Sequence, residues 1–184
     1  MLSEKETTSI SKLLSLVLRH QPDAIGIELD ENGWTDVAIL LQKLKTQKAT
    51  VNLEVLKYIV ANNNKKRFSF NEDFSKIRAN QGHSVEIDLG LKPVEPPEIL
   101  FHGTAFKNLE AINTTGLEKQ SRQHVHLSKD VETALKVGQR HGKPIVLEVL
   151  AGKMFKEGFH FFVSENGVWL TDHVLPKYLQ IHEE

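Results

Sequence analysis

Cationic side chains in the N-terminal half of the chain could bind an anion and move a proton. Arg19 and His20 are adjacent in the stretch LVLRHQP, directly before a proline. A guanidinium group matches phosphate oxygens in geometry and charge, and an imidazole exchanges protons near neutral pH. Cations are also stabilised at the C-terminal end of a helix by the helix dipole. The pair is therefore compatible with either structural capping or phosphate chemistry.

A second cationic group occupies residues 65–67 of the stretch NNNKKRFSF. Three adjacent cations often form a solvated face or a general phosphate patch. In an extended strand, however, alternate side chains point to the same side. Lys65 and Arg67 would then contact one anion while Lys66 points away, so we expect a two-pronged phosphate contact here.

The C-terminal half carries histidines at strand spacing. His124 and His126 alternate in SRQHVHLS and would share one face of a strand. Metal chelation, a polar pocket wall and chance remain open as explanations. A metal is disfavoured because no acidic residue stands in this strand, or in the strand containing His102, to complete the ligand set. In FHGT, a glycine between polar side chains either forms a simple turn or lets a ligand approach the backbone closely.

Several classes of chemistry are excluded by composition and spacing. The absence of cysteine rules out disulfides, thiolate zinc sites and a cysteine nucleophile. The glycine-rich phosphate motifs of Rossmann and P-loop proteins are absent, and Ser128 has no G-x-S-x-G context. With a net charge of -1, affinity for nucleic acid must come from a local basic patch.

The targeting signals predict a cytoplasmic protein. No apolar run reaches the roughly 18–20 residues that a membrane span needs. The N-terminal stretch MLSEKETTS lacks the charged-then-apolar order of a secretory signal. We therefore expect no membrane association.

A proline-rich segment, KPVEPPE, separates two halves of different character. Prolines remove backbone donors, so this segment is expected to be a linker. The expected division is an N-terminal domain at 1–92, a linker at 93–98 and a C-terminal domain at 99–184.

The N-terminal half reads as helix, strand, helix, helix and hairpin. Apolar residues at helical spacing end at Arg19 and His20, before Pro22. Alternation at 25–29 predicts a short strand, and the next two helices would be capped by Thr35 or Asp36 and by Asn52. A hairpin is expected around the sequence NED. This order is typical of a winged helix, an architecture often used on nucleic acids.

The C-terminal half is dominated by short strands. Five apolar segments, EILFHG, HVHLS, PIVLEVL, FHFFV and GVWLT, are interrupted by helical stretches at 107–115 and 130–139. Gly116 is expected to stop the first of these helices, and ENG at 165–167 to close a tight hairpin. The pattern indicates a mostly antiparallel α+β lobe.

Eight ordered segments resemble one family. LSLVLRHQP, GWTDV, KRFSF, IRANQGHS, FHGT, RQHVHLS, GQRHGKPIVL and NGVWLT are similar to stretches of the NAD-dependent RNA (tRNA) 2'-phosphotransferases, and the resemblance runs from about residue 12 to 173. It implies a winged-helix-like RNA-binding lobe and an ADP-ribosyltransferase-like NAD-binding lobe.

The resemblance also implies a reaction. The family removes an internal 2'-phosphate from RNA, such as one left at a tRNA splice junction, with NAD+ as co-substrate. The 2'-phosphate attacks C1'' of the nicotinamide ribose, nicotinamide leaves, and a 2'-phospho-ADP-ribosylated RNA forms. O2'' then attacks the phosphorus, which yields RNA with a free 2'-OH and ADP-ribose 1'',2''-cyclic phosphate.

Site residues follow from the same resemblance. The family's catalytic set matches Arg19, His20, Arg67 and Arg122. The arginines are expected to hold the 2'-phosphate, and His20 to carry the proton of O2''. The residues expected to bind NAD are His102, Gly103, Thr104, His126 and Ser128, and those expected to bind the RNA phosphates are Lys65 and Arg140. For Arg140 an ordinary ion pair with an acid is an equal alternative.

Other partners and functions were weighed. No metal is expected, since arginines can supply the electrostatics of phosphoryl transfer. No protein partner is implied, and a monomer is expected. One alternative is an ADP-ribosyltransferase that caps terminal phosphates of RNA or DNA and stops after the first step. Another is a winged-helix binder without catalysis.

Overall fold

The computed structural model describes residues 3–46, 51–63 and 65–183 of the 184-residue chain. The chain separates into two compact units, Met1–Gly90 and Leu91–Glu184. Each unit contains helices and short strands, and all strand pairs are antiparallel. The predicted α+β class is confirmed. The proline-rich stretch falls in the second unit, where the Val94 N–H donates to the carbonyl oxygen of Phe161.

The first helix of the N-terminal unit, α1 (Glu4–Val17), begins with a complete capping box. The Ser3 hydroxyl accepts from the Glu6 N–H, and the Glu6 carboxylate accepts from the Ser3 N–H. Ile10 and Leu14 lie on the buried face of α1. The helix ends at Val17, three residues before His20, so Arg19 and His20 lie in the turn that follows it and not in its last turn as predicted.

Two further helices complete the core of this unit, α2 (Val37–Thr46) and α3 (Leu53–Ala61). Asp36 Oδ1 accepts from the Ile39 N–H, and Asn52 Oδ1 accepts from the Val55 N–H. Both predicted caps are therefore confirmed. In each, the side-chain oxygen accepts from a backbone N–H of the first turn, which has no partner within the helix.

The sheet of the N-terminal unit contains β1 (Thr35–Asp36), β2 (Phe68–Phe70) and β3 (Lys76–Ala79) in the order β1-β3-β2. The predicted hairpin is confirmed as β2–β3. The predicted strand at 25–29 is wrong: these residues form no strand, and Gly26 has φ +67. A positive φ interrupts extended backbone, although Ile25 and Ile27 remain buried. Their apolar alternation reflects burial without strand pairing.

The C-terminal unit contains three small sheets. The strand order of the first sheet is β11 (Leu179–Ile181), β7 (Pro144–Val149) and β4 (Leu100–Ala105). The order of the second is β6 (Val125–Leu127), β9 (Trp169–Thr171) and β8 (Phe162–Val163). The third sheet pairs β5 (Leu117–Glu118) with β10 (His173–Val174). All five predicted strands occur. Leu100 and Val149 are fully buried within the core of this unit.

Three helices accompany these sheets: α4 (Leu109–Thr115), α5 (Val131–Gly138) and α6 (Ala151–Lys156). Gly116 has φ +83 and ends α4, as predicted. Asp130 caps α5 by accepting from the Thr133 N–H. The sequence did not predict α6, whose six residues directly follow a strand and include Gly152.

No helix among the residues that the structure describes is long and apolar enough to cross a membrane.

Candidate functional site

Arg19 projects from the turn that follows α1. Its guanidinium donates to the main-chain carbonyl oxygen of Arg67 at 3.5 Å and lies 5.9 Å from the ring centroid of Phe68. Arg19 is half-buried. The structure therefore brings together two of the predicted cationic positions from the ends of two different elements.

His20 is exposed and is oriented by a residue that the sequence analysis did not single out. His20 Nδ1 and Ser84 Oγ are hydrogen-bonded at 2.9 Å. The main chain is tied at the same place, because the carbonyl oxygen of Arg19 accepts from the N–H groups of Ser84 and Val85, at 2.9 and 3.3 Å. The segment after β3 thus holds both the backbone and the ring of the Arg19–His20 pair. Ser84 stands in the quoted segment IRANQGHS, yet no local pattern marks it as a partner of His20.

The segment from Lys65 to Arg67 is not a strand. β2 begins at Phe68, and Lys66 has φ +42, so the alternation that would place Lys65 and Arg67 on one side does not apply. The prediction of an extended conformation here is wrong. Asn63 orders the segment instead: its Oδ1 accepts from the Lys65 N–H at 3.1 Å and from Arg67 Nη1 at 3.3 Å.

A buried neutral histidine lies among these cations. Burial, together with the smaller effects of the positive charges of Arg19, His20 and Arg78, lowers the pKa of His83 to about 3. His83 is only 1% exposed. Because its pKa is so low, the ring is uncharged near neutral pH and does not repel the surrounding cations. Arg78 in turn stacks on Trp34, with the guanidinium carbon 4.5 Å from the ring centroid. The positive charge in this part of the N-terminal unit therefore comes from Arg19, Arg67 and Arg78, and it attracts anions. We call these three arginines the anion cluster.

In the C-terminal unit, His102 is held in one tautomer. Its Nδ1 donates to the main-chain carbonyl oxygen of His126 at 3.0 Å, so Nε2 of the neutral ring is an acceptor. Burial lowers the pKa of His102, this hydrogen bond raises it, and the charge of Arg122 lowers it again, with a net lowering. His102 is therefore uncharged at neutral pH.

Arg122 contacts His126 directly. Arg122 Nη1 lies 3.1 Å from His126 Nδ1, and because arginine has no acceptor, the imidazole nitrogen accepts. Arg122 is exposed and stands in a turn before β6, where its N–H donates to the Lys119 carbonyl oxygen. Three predicted site residues, His102, Arg122 and His126, thus form one connected group.

Gly103 lies inside β4, so the simple turn predicted there is wrong. A Cβ at this position would collide with the carbonyl group of Ala134 on α5, so the glycine lets this helix pack closely against β4. Thr104 is buried, and its Oγ1 accepts from Asn108 Nδ2 at 3.1 Å. Any contact of Gly103 or Thr104 with NAD stays a prediction.

Ser128 is placed beside β4 by its backbone. Its N–H donates to the Phe101 carbonyl oxygen at 2.7 Å, and its own carbonyl accepts from the Phe101 N–H at 2.8 Å. Ser128 therefore lies one residue from His102 across a bridge between two strands. A direct role for its hydroxyl in binding NAD stays a prediction.

His124, the other member of the histidine pair, packs against an aromatic ring. Its ring centroid lies 5.7 Å from that of Phe162, and burial is the largest of the effects that lower its pKa. Within residues 3–46, 51–63 and 65–183, no group of three or more histidine, aspartate or glutamate side chains could hold a metal ion.

Arg140 lies in the exposed turn after α5. Its N–H donates to the Val137 carbonyl oxygen at 3.3 Å. Its side chain forms no ion pair with any residue that the structure describes. The alternative in which Arg140 pairs with an acid is therefore not seen in this part of the chain, and its predicted RNA contact stays a prediction.

The two units thus offer two kinds of chemistry. The N-terminal unit presents guanidinium groups and an exposed imidazole, which suit a phosphate and a proton transfer. The C-terminal unit presents a neutral imidazole acceptor and an arginine donor, which suit hydroxyl and phosphate groups of a nucleotide.

Comparison with known proteins gives a consistent result. The family profile described as "RNA 2'-phosphotransferase, Tpt1 / KptA family" matches residues 5–173. A protein of Flavobacterium johnsoniae named "Probable RNA 2'-phosphotransferase" is 55% identical over 179 residues, which cover 97% of this chain and 98% of the relative. Proteins of the same name from Fusobacterium nucleatum and Agrobacterium fabrum are 52% and 54% identical, over 93% and 95% of this chain and 96% and 94% of their own lengths.

Proposed function

This chain belongs to the RNA 2'-phosphotransferase family, and from that membership we propose that it is an enzyme that removes a 2'-phosphate from RNA with NAD+ as acceptor. The observation that carries the proposal is the hydrogen bond from the Arg19 guanidinium to the main-chain carbonyl oxygen of Arg67, which joins the turn that carries Arg19 and His20 to the segment that carries Arg67. The anion cluster has the charge and the donor geometry that a dianionic phosphate requires.

In this proposal Arg19, Arg67 and Lys65 bind the RNA 2'-phosphate. Phosphoryl transfer depends mainly on positioning and on neutralising the charge of the phosphate oxygens. Two arginines supply donors in a fixed fork, and a lysine adds a mobile point charge. His83 supports this role because its ring is uncharged near neutral pH, so it does not add a positive charge that would repel the neighbouring arginines.

His20 is the proposed proton carrier of the second step. When O2'' of the ribose attacks the phosphorus, its proton must leave, and the RNA 2'-oxygen must gain one. An exposed imidazole that is held by Ser84 can accept the first proton and return it to the leaving oxygen. The hydrogen bond to Ser84 fixes the orientation of the ring for this exchange.

The NAD+ co-substrate is proposed to bind the C-terminal unit, and the groups present there fit it. NAD+ supplies an electrophilic ribose carbon with nicotinamide as the leaving group. The Nε2 acceptor of His102 suits a ribose hydroxyl, and the guanidinium of Arg122 suits a phosphate oxygen. Gly103, Thr104, His126 and Ser128 lie on or beside the same strands and are proposed to complete the site.

We further propose that the two units are a winged-helix-like RNA-binding lobe and an ADP-ribosyltransferase-like lobe. The order of three helices followed by the β2–β3 hairpin supports the first assignment. The small antiparallel sheets around β4 and β7 support the second. Arg140, exposed in the turn after α5, is proposed to contact the RNA backbone.

The test uses purified protein, NAD+ and a short RNA with one internal 2'-phosphate; a matched RNA carries a 5'-phosphate instead. We expect nicotinamide, RNA with a free 2'-OH and ADP-ribose 1'',2''-cyclic phosphate from the first RNA, and no reaction without NAD+. ADP-ribosylated RNA that accumulates on either substrate without release of cyclic phosphate would favour the capping alternative. Binding of RNA without any reaction would favour a non-catalytic binder.

A further inference from the structure

The segment that carries Lys65 and Arg67 is held in a backbone conformation that lysine does not favour. Lys66 has φ +42, in the left-handed region. For a residue with a Cβ, this conformation costs about 1–2 kcal/mol. The segment therefore needs contacts from elsewhere to keep this shape.

Asn80, which directly follows β3, provides those contacts. Its side-chain Nδ2 donates to the carbonyl oxygen of Lys66 at 2.7 Å, and its backbone N–H donates to the carbonyl oxygen of Arg67 at 2.9 Å. Two successive peptide groups of the segment are thus fixed by a single residue. The carbonyl of Arg67 is the same one that accepts from Arg19.

The side-chain bond is the part that depends on asparagine. Any residue except proline at this position offers a backbone N–H, whereas only an amide of this length places an NH₂ group against the Lys66 carbonyl. Asn80 is 3% exposed, so water does not replace this bond. A buried amide donor that loses its hydrogen bond costs about 1–3 kcal/mol.

We propose that Asn80 is a positioning residue for phosphate binding: it holds Lys66 in the left-handed conformation and so aims the side chains of Lys65 and Arg67 at the RNA 2'-phosphate. The inference rests on the proposed function of this site. Asn80 acts through the backbone of its neighbours and does not contact the substrate.

The substitution Asn80→Asp tests this role because it keeps the size of the side chain and replaces its donor NH₂ by an oxygen. Asn80→Thr, which removes the donor without adding a charge, is measured beside it. Binding is measured without NAD+ for a short RNA with one internal 2'-phosphate and for the same RNA with a 2'-OH. For N80D, we expect the preference for the phosphorylated RNA to fall about 5- to 30-fold, the effect of one lost buried hydrogen bond. Affinity for the unphosphorylated RNA should change little.

Two further variants separate positioning from general destabilisation. Ile77→Val removes one buried methylene on β3, the strand that directly precedes Asn80, and should lower the melting temperature. It leaves the residues at 65–67 unchanged. It should retain the phosphate preference. Lys66→Gly removes the strain, because glycine adopts a positive φ at no steric cost. In the K66G background, the substitution N80D should therefore lower the phosphate preference less than it does in the wild-type protein.

The outcomes are distinct. A folded N80D that keeps the wild-type preference overturns the inference, and so does a loss that is equally large in the K66G background. In Asn80→Thr the hydroxyl is one bond closer to the backbone and does not reach the Lys66 carbonyl, so the same loss and rescue are expected, and this variant decides if N80D does not fold. A loss in N80D that Asn80→Thr does not show would come from the added charge and would overturn the inference. A wild-type protein without phosphate preference overturns the proposed function itself, and this inference with it.

Discussion

The guanidinium of Arg19 donates to the main-chain carbonyl oxygen of Arg67, at 3.5 Å and across 48 positions of the chain. This bond joins the turn after α1 to the segment that leads into β2. It joins two arginine positions that the sequence separates, and it uses one of the five N–H donors of the Arg19 guanidinium.

Replacing Arg19 by lysine should reduce activity strongly. An ammonium group is a single point charge and cannot bridge a backbone carbonyl and a phosphate with a rigid fork. For Arg19→Lys, we expect kcat/KM for release of the 2'-phosphate to fall about 10- to 100-fold, the value of a charge-assisted hydrogen bond. Lys5→Arg, an exposed change on α1, is the control and should have no effect. Wild-type kinetics in R19K would contradict the assigned role.

Loss of Arg122 should block the first step. Its Nη1 donates to His126 Nδ1, so Arg122→Ala removes a guanidinium group and also frees the imidazole of His126. We expect nicotinamide release from NAD+, followed by chromatography, to become undetectable while the far-UV circular dichroism spectrum stays unchanged. Lys136→Ala, which removes an exposed ion pair on α5, serves as the control. Undiminished nicotinamide release in R122A would show that Arg122 has another role.

The stability of the protein should depend on pH through His83. Burial and the charges of Arg19, His20 and Arg78 lower its pKa to about 3, from about 6.5 in an unfolded chain. As pH falls below 6.5, the unfolded chain takes up this proton first, so the free energy of unfolding decreases by up to about 1.4 kcal/mol per pH unit until about pH 3. Above pH 6.5 this contribution is constant.

Urea unfolding at pH 4.5, 5.5 and 7.0 measures the effect. His102 and His124 also have lowered pKa values and add a slope of the same sign, so the comparison is with His83→Gln. The variant should lose the part of the slope that belongs to His83, whatever its stability at pH 7.0. Parallel curves for the two proteins would show that His83 does not titrate on unfolding.

A methyl group at Gly103 should destabilise the C-terminal unit. The Cβ would collide with the carbonyl of Ala134, so α5 must move away from β4. We expect Gly103→Ala to cost about 3 kcal/mol or more in thermal unfolding, at the upper end of overpacking effects. Gly158→Ala is the matched control: nothing lies near its Cβ, and only its φ of +94 opposes the change. It should cost about 1 kcal/mol. Equal effects would contradict a packing role.

Turnover should not require a divalent metal ion. The proposed site uses arginine and lysine side chains to neutralise the phosphate. We therefore expect the rate of 2'-phosphate release to be the same with and without a chelator such as EDTA. A rate that falls with the chelator and recovers with added metal would instead favour a metal site at His124 and His126.

Local signals predicted where α2 and α3 begin. The predicted caps Asp36 and Asn52 each accept a backbone N–H in the first turn that follows, a contact made within three residues. The β2–β3 hairpin was equally predictable, because the strands flank a short polar turn. The strand predicted from apolar alternation at 25–29 does not form, because the alternation reflects burial and does not reveal the positive φ of Gly26.

The candidate site was predictable as a set of residues, but its geometry was not. The contact between His20 and Ser84 spans 64 positions, and no local pattern announces it. The alternation of Lys65 and Arg67 failed because Asn80 holds Lys66 in a left-handed conformation. Gly103 suggested an open backbone, whereas its partner Ala134 lies on a helix that the sequence could not place beside it.

The carbonyl oxygen of Arg67 receives donors from Arg19 and Asn80, which lie on two other parts of the N-terminal unit. The anion cluster therefore exists only where the turn after α1, the segment before β2 and the end of β3 are all in place, and closing the loops between them costs entropy that the assembled core offsets. An anion that binds only this folded arrangement should therefore raise the free energy of unfolding of the whole N-terminal unit.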